Sequence, residues 1–358
     1  MLELDGVTKT YRTGTFGGTR LPAIRQANFV IRPGEITSLI GESGSGKSTL
    51  GKMILRLTPV TSGSILFNGE DISAFQGHQL REYYRHVQGV FQDPYSSYNP
   101  IFRADRVYAM IRDAYFPDAS DREWGDKVES AVASVGLNAE EVLGKFTHQL
   151  SGGQLQRLLI ARALLLDIKM LVADEIISML DASTRVDVLN LLVELKAKGL
   201  GVLFITHDLS LGNYISERTI ILRRGVILEM GSTSKVFDNP QHEYTKMLLA
   251  SVPQLHKKWD ARLDGPGQGE RGAPHSESND TKEDIANPRE RYSKSALHPL
   301  ARRGRIAQGR MRQVHEQREI DGPDRSIKTD AYLRSNEELP QLIEIEDDHY
   351  VARPVGAR

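Results

Sequence analysis

The run Gly41-Glu42-Ser43-Gly44-Ser45-Gly46-Lys47-Ser48, followed by Thr49, has the residue types and spacing to hold a polyphosphate. Its glycines let successive backbone N–H groups turn inward around a β-phosphate, and a helix starting here adds the positive end of its dipole. Lys47 supplies a full charge toward the β- and γ-phosphates, and the Ser48 hydroxyl is placed to ligate Mg²⁺. The pattern has meaning only between a strand and a helix, and both flanks fit. Ile36-Thr37-Ser38-Leu39-Ile40 reads as a buried strand, and Leu50, Met53, Ile54 and Leu57 repeat at the spacing of a helix's inward face.

Two carboxylates end a second apolar run, Met170-Leu171-Val172-Ala173-Asp174-Glu175. Two acids at a strand end are by themselves more often a solvated surface feature. Beside a phosphate loop they can divide the labour of hydrolysis, Asp174 holding the cation's coordination sphere and Glu175 polarising the attacking water.

The elements that must carry these residues are legible around them. Val202 to Ile205 reads as a third buried strand, reached through a helix bearing Val188, Leu189, Leu192 and Leu195 that stops near Gly199. This alternation predicts an α/β fold with a parallel sheet. Residues from about 95 to 165, including Arg106 to Tyr115 and Arg122 to Val135, are mostly helical in pattern and are expected to form a helical insertion. The folded domain is expected over residues 1–253. Residues 254–358 are polar and rich in Gly, Pro, Ser, Asn and charges of both signs. Such a segment cannot offset its ordering entropy by burial, so an extension largely without fixed structure is expected, with a short ordered piece at 339–353.

Charges nearly cancel: 46 Lys and Arg against 47 Asp and Glu give a net of −1, so bulk electrostatics points to no nucleic-acid partner. The basic cluster Arg302, Arg303, Arg305, Arg310 and Arg312 has no interleaved aromatics and reads as solvated linker. The absence of cysteine excludes disulfides and thiolate-bound zinc or iron–sulfur centres. The first residues, Met1-Leu2-Glu3-Leu4-Asp5, carry acids where a secretory signal has a basic start. No run approaches the roughly 18 apolar residues of a membrane span. A peripheral membrane role is the most that these features allow.

Leu150-Ser151-Gly152-Gly153-Gln154-Leu155-Gln156-Arg157 lies between the phosphate loop and the acid pair and matches the L-S-G-G-Q signature of ABC ATPases. The chain is identified by it as resembling ABC nucleotide-binding subunits, and further family motifs occur in order over residues 1 to about 230. Tyr11 resembles the aromatic residue that stacks on adenine. Gln92 in Val90-Phe91-Gln92-Asp93-Pro94 looks like the Q-loop glutamine, which contacts metal or water and links to the transmembrane partner. His207 looks like the switch histidine at the γ-phosphate, and Asp181 ends the D-loop Ser178-Met179-Leu180-Asp181. The resemblance implies a P-loop NTPase with a RecA-like parallel sheet core, an N-terminal antiparallel β subdomain and a helical subdomain. It also implies Mg-ATP hydrolysis by two such subunits paired head to tail. Ser151, Gly152, Gly153, Gln154 and Asp181 would meet the nucleotide of the mate, while two permeases and, indirectly, an extracytoplasmic solute-binding protein would complete an importer at the cytoplasmic face of the membrane.

The flanks sharpen the resemblance. Phe91-Gln92-Asp93-Pro94-Tyr95-Ser96-Ser97-Tyr98-Asn99-Pro100 and Asn239-Pro240-Gln241-His242-Glu243-Tyr244-Thr245 look like the oligopeptide/dipeptide importer ATPases. In that branch the second stretch opens a C-terminal extension that often carries a cysteine-bound iron–sulfur cluster; without cysteine, no cluster is expected here. Leu339-Pro340-Gln341-Leu342-Ile343-Glu344 and His349-Tyr350-Val351-Ala352 are similar to the end of that extension. A second departure is Ile176-Ile177 and Met179, where the family more usually has Pro-Thr and Ala; these are expected beside the dimer interface. The alternative reading is an ABC ATPase of a soluble, non-transport complex of the phosphonate-degradation type.

Overall fold

The structure is a computed structural model that describes residues 1–13, 19–251 and 339–354. In chain order it contains β1 (Leu2–Thr13), β2 (Thr19–Ile31), β3 (Ile36–Ile40), α1 (Lys47–Ile54), β4 (Ser62–Phe67), β5 (Glu70–Asp71), α2 (Gly77–His86) and β6 (Val87–Val90). The helical insertion follows as α3 (Arg106–Tyr115), α4 (Asp121–Ser134), α5 (Ala139–Val142) and α6 (Gly152–Leu164). Then come β7 (Met170–Asp174), α7 (Ala182–Ala197), β8 (Gly201–Thr206), α8 (Leu209–Ile215), β9 (Arg218–Arg223), β10 (Val226–Ser232), α9 (Thr233–Asp238) and α10 (Glu243–Ala250). The last pair is β11 (Gln341–Glu346) and β12 (His349–Arg353).

These strands form two sheets. The smaller is antiparallel, ordered β2-β1-β4-β5; the larger is ordered β11-β12-β10-β9-β3-β8-β7-β6. In the larger sheet β9, β3, β8, β7 and β6 run parallel, with β10, β12 and β11 added antiparallel. Every residue of β3, β7 and β8 is buried, as expected for strands covered on both faces. One apolar core joins Leu39, Val172, Leu203 and Ile205 to α1 and the antiparallel sheet; a second joins Ile36, Leu171 and Phe204 to α6, α7 and the insertion.

Register fixes where chemistry can occur. Ile40 pairs with Thr206, and Asp174 with Ile205, so Gly41, Glu175 and His207 leave three neighbouring strands at one carboxyl edge of the sheet. Ligands of open α/β sheets bind at that edge.

Two sequence expectations change on contact with the fold. Leu57 does not face inward: α1 ends at Ile54, Arg56 takes a left-handed φ of 53°, and Leu57 is 60% exposed. Ile176 and Ile177 are buried in the core with Phe204 and Val188, whereas Met179 is exposed. The expected second insertion helix begins one residue earlier, at Asp121. Its N-cap is Ser120, whose hydroxyl accepts from Glu123 N while Glu123 accepts from Ser120 N, a reciprocal cap.

At the far edge β12 pairs with β10 through Glu229↔Val351 and Gly231↔His349. His349 and Glu229, both fully buried, are 2.7 Å apart, and Arg218 pairs with Asp348. The expectation of an unstructured stretch between 254 and 338 lies outside the described residues.

Candidate functional site

The phosphate loop's glycines are required by close approaches. A Cβ on Gly41 would stand 2.1 Å from the Leu222 carbonyl oxygen. At Gly46, where φ is 110°, it would stand 2.5 Å from that of Ala23. Lys47, the first residue of α1, is buried, and its Nζ donates to the carbonyls of Gly41 (2.7 Å) and Glu42 (2.8 Å). Burial presses its pKa below the ordinary lysine value, opposed by the nearby charges of Glu175, Asp174 and Glu42.

A cavity of about 710 Å³ opens over this loop. It is lined by Glu42, Ser43, Gly44, Gly46, Lys47, Ser48 and Thr49, and from other elements by Ala23, Gln92, Glu175 and His207. Ser45 is buried within the loop, where its carbonyl accepts from Gly225 N at 2.8 Å. Residues far apart in sequence, at 47, 92, 175 and 207, thus share one space.

Asp174 ends β7 below this cavity. Burial raises its pKa, partly offset by a hydrogen bond from Ser48, and one carboxylate oxygen, Oδ1, is buried with no hydrogen-bond partner. Among the described residues no three acidic or histidine side chains gather to hold a metal alone. One serine hydroxyl and one under-satisfied carboxylate fit a Mg²⁺ that arrives on a nucleotide and keeps most of its ligands as phosphate and water.

Glu175 adopts φ 50°, left-handed backbone that costs a non-glycine residue on the order of 1 kcal/mol. The turn is held by Glu175 N donating to the Ile205 carbonyl (2.9 Å) and by the Ser178 hydroxyl donating to the Glu175 carbonyl (2.8 Å). It aims the carboxylate across to β8, where His207 Nδ1 lies 3.2 Å from Oε1. His207 sits in a turn shaped by Asp208, whose N–H donates to Thr206 Oγ1 and whose carboxylate caps α8.

The signature occupies a different surface. Ser151 N-caps α6: its hydroxyl accepts from Gln154 N (3.1 Å), and Gln154 Oε1 accepts from Ser151 N (2.9 Å). The hydroxyl proton stays free to donate, as do the amides of Gly152 and Gly153, ahead of the bonded Gln154 N. Gly153 packs on α7, since a Cβ there would meet Thr184 Cγ2 at 2.9 Å. Asp181 caps α7 through Thr184 N, and hydrogen bonds from Ser183 and Thr184 hold its carboxyl far below the usual range. The structure therefore brings Ser151 to Gln154 together with Asp181, and neither group lines the cavity over the phosphate loop. Tyr11 does not line it either; it is exposed on β1, with Lys9 Nζ 5.0 Å from its ring centre.

Three contributors escaped the sequence reading. Gln156, fully buried, donates to the Phe91 carbonyl beside Gln92 (3.3 Å), and Arg162 donates to the Gly89 carbonyl in β6 (2.8 Å). The helix headed by the signature is thereby tied to the strand that delivers Gln92. Arg185 donates to the carbonyls of Leu180 (2.8 Å) and Ser178 (3.2 Å), bracing the segment between Glu175 and Asp181. The only signal available beforehand was a polar side chain on an otherwise apolar helix face.

Comparison with known proteins bears on this geometry. The family described as ABC transporter matches residues 24–178, and the oligopeptide/dipeptide transporter C-terminal region matches residues 228–278. The oligopeptide transport ATP-binding protein OppF of Streptococcus pyogenes serotype M1 is 42% identical over 239 residues, covering 66% of this chain and 78% of that protein. The dipeptide transport ATP-binding protein DppF of Lactococcus lactis subsp. cremoris is 41% identical over 256 residues, covering 71% and 81%. Among solved structures, the ATP-binding cassette MJ0796 in a dimeric post-hydrolysis state with ADP and Pi superposes with a TM-score of 0.59 at 29% identity, covering 65% of this chain and 99% of that one. The chain is a member of the ABC transporter ATP-binding family, in its oligopeptide/dipeptide transport branch.

Proposed function

We propose that this chain is the ATP-binding and hydrolysing subunit of an ABC importer, turning ATP-driven closure of a subunit pair into uptake of peptides or a related small solute. The observation that carries the reading is the single cavity that gathers Lys47, Ser48, Gln92, Glu175 and His207. The two relatives are named for oligopeptide and dipeptide transport, which supports the transport reading over the soluble one.

The roles follow from position. Lys47 leaves the carbonyls of Gly41 and Glu42 to meet the β- and γ-phosphates, exchanging neutral acceptors for charged ones. Ser48 and Asp174 would hold a Mg²⁺ ion, which would offset charge on the phosphates. Glu175, fixed by its strained turn, orients the attacking water, and His207 steadies that carboxylate while facing the γ-phosphate. Gln92 senses water or metal from the segment that continues to Tyr95, Ile101 and Phe102, exposed apolar residues suited to a permease helix. Tyr11 stacks on adenine once the nucleotide is seated.

Ser151, Gly152, Gly153, Gln154 and Asp181 serve the nucleotide of a second ATPase subunit. They do not line the cavity over this chain's own loop, so an anion for them must come from elsewhere. Two permeases, with a solute-binding protein outside, complete the assembly at the cytoplasmic face of the membrane. No described helix is long and apolar enough to cross it.

A tagged chain purified from its own cells should bring down two multi-spanning permeases and show ATP turnover stimulated by peptide-loaded binding protein. Recovery with a soluble enzyme complex and no permease would overturn the transport reading.

A further inference from the structure

The phosphate loop is braced from outside by a tight turn that belongs to none of the motifs. β9 and β10 pair through Val226↔Arg223, which leaves Arg224 and Gly225 as a two-residue connection. Both are left-handed, with φ 48° and 80°, the signs that a type I′ hairpin turn requires. Such a turn has little freedom of its own. β9 is held in addition by its parallel pairing with β3, the strand that launches the loop, and its Leu222 backbone abuts Gly41 at the loop's start.

The tip of the turn holds two other segments. Gly225 N donates to the Ser45 carbonyl (2.8 Å), and the Gly225 carbonyl accepts from Arg25 N in β2 (2.8 Å). A Cβ on Gly225 would stand 2.6 Å from the Ala23 carbonyl oxygen and 2.9 Å from the carbon that bears it. The same oxygen is what a Cβ on Gly46 would strike, at 2.5 Å. The turn, β2 and the loop therefore meet backbone to backbone at Ala23, with no room for a side chain on either glycine.

We infer that Gly225 is a positioning residue of the nucleotide site: its amide fixes the Ser45–Gly46 peptide plane, and with it the direction of the Gly46 N–H. In a planar trans peptide the C=O and the N–H that follows it point opposite ways. Drawing the Ser45 carbonyl toward the turn therefore sends the Gly46 N–H away from it. Gly46 lines the cavity immediately before Lys47, where a phosphate oxygen needs a donor. The donor is oriented before nucleotide arrives, which spares the loop an ordering cost on binding. This inference rests on the reading of the loop as the ATP site.

The test compares glycines at the two ends of β10 in the full chain. Gly225→Ala drives a methyl into the Ala23 carbonyl, whereas Gly231→Ala drives one to 2.4 Å from the Asp348 carbonyl oxygen. The second site lies six residues, about 20 Å, further along the strand. Both variants should melt below the parent. Calorimetric titration with Mg-ATP, at a temperature where both are folded, should show a loss of affinity of about tenfold or more in Gly225→Ala. In Gly231→Ala the affinity should stay within about twofold of the parent's. Parental affinity in Gly225→Ala, or an equal loss in Gly231→Ala, would overturn the inference. Amide exchange in the unaltered chain tests it without any substitution: saturating Mg-ATP should slow exchange of the Gly225 N–H more than that of the other β10 amides. Equal slowing along β10 would contradict it. Lys47→Ala separates the two claims: if it binds ATP like the parent, the loop reading fails; if it loses ATP while Gly225→Ala does not, only the role of Gly225 fails.

Discussion

Glu175 and His207 meet 3.2 Å apart across the ends of β7 and β8, the glutamate held in a left-handed turn by a bond to the very strand that carries the histidine. A carboxylate so placed is oriented before any nucleotide arrives. Preorganisation of this kind is the main protein contribution to phosphoryl transfer, where little covalent chemistry falls to side chains.

Gly46→Ala should abolish tight ATP binding without unfolding the chain. The added methyl meets the Ala23 carbonyl at 2.5 Å, in a conformation unfavourable to any side chain. A strain of about 1 to 3 kcal/mol, concentrated in the loop, predicts at least a tenfold loss of affinity, read by calorimetric titration with Mg-ATP. Native affinity would mean that the loop conformation seen here is not the binding one.

Arg185→Lys should lower turnover about tenfold and leave ATP affinity within about twofold. The guanidinium bridges the carbonyls of Ser178 and Leu180 with two donors, and an ammonium cannot reproduce that fork. Steady-state ATPase assays of the assembled transporter give the two quantities separately. Equal loss in both would point to a general folding defect instead.

Much of this site was visible in the chain before its fold, because its parts are local. Ile36 to Ile40 with the loop, and Met170 to Glu175, each carry strand, turn and chemistry within a few residues. What stayed hidden depends on long-range contacts. Gln156 reaches Phe91 and Arg162 reaches Gly89 across separate elements, and no spacing rule links such residues. Leu57 kept the helical period but not the helix, since Arg56 turns the chain first. Ile176 and Ile177 follow the turn at Glu175 into the core, a burial that their motif position alone did not show.

The cap of α10 predicts a pH dependence. His242 Nδ1 accepts the Tyr244 amide and so must be unprotonated, and burial holds the imidazole below its ordinary value. The unfolded chain then takes up the proton first, so this residue's stability contribution is intact above about pH 7 and declines as pH falls through about 6.5. His242→Asn retains an acceptor for the cap but does not titrate. Between pH 7.5 and 5.5 the parent's melting temperature should fall further than the variant's; equal falls would remove His242 as a contributor.

Hydrolysis by the Glu175 variant is the most direct test of the central claim. Phosphate release from ATP should be measured in the full chain assembled with its permeases, parent beside Glu175→Gln, with ATP binding followed in the same preparation. Removing a general base predicts a fall of about a hundredfold or more with ATP still bound. Turnover equal to the parent's would contradict the assignment of Glu175, and with it the chemistry ascribed to this cavity.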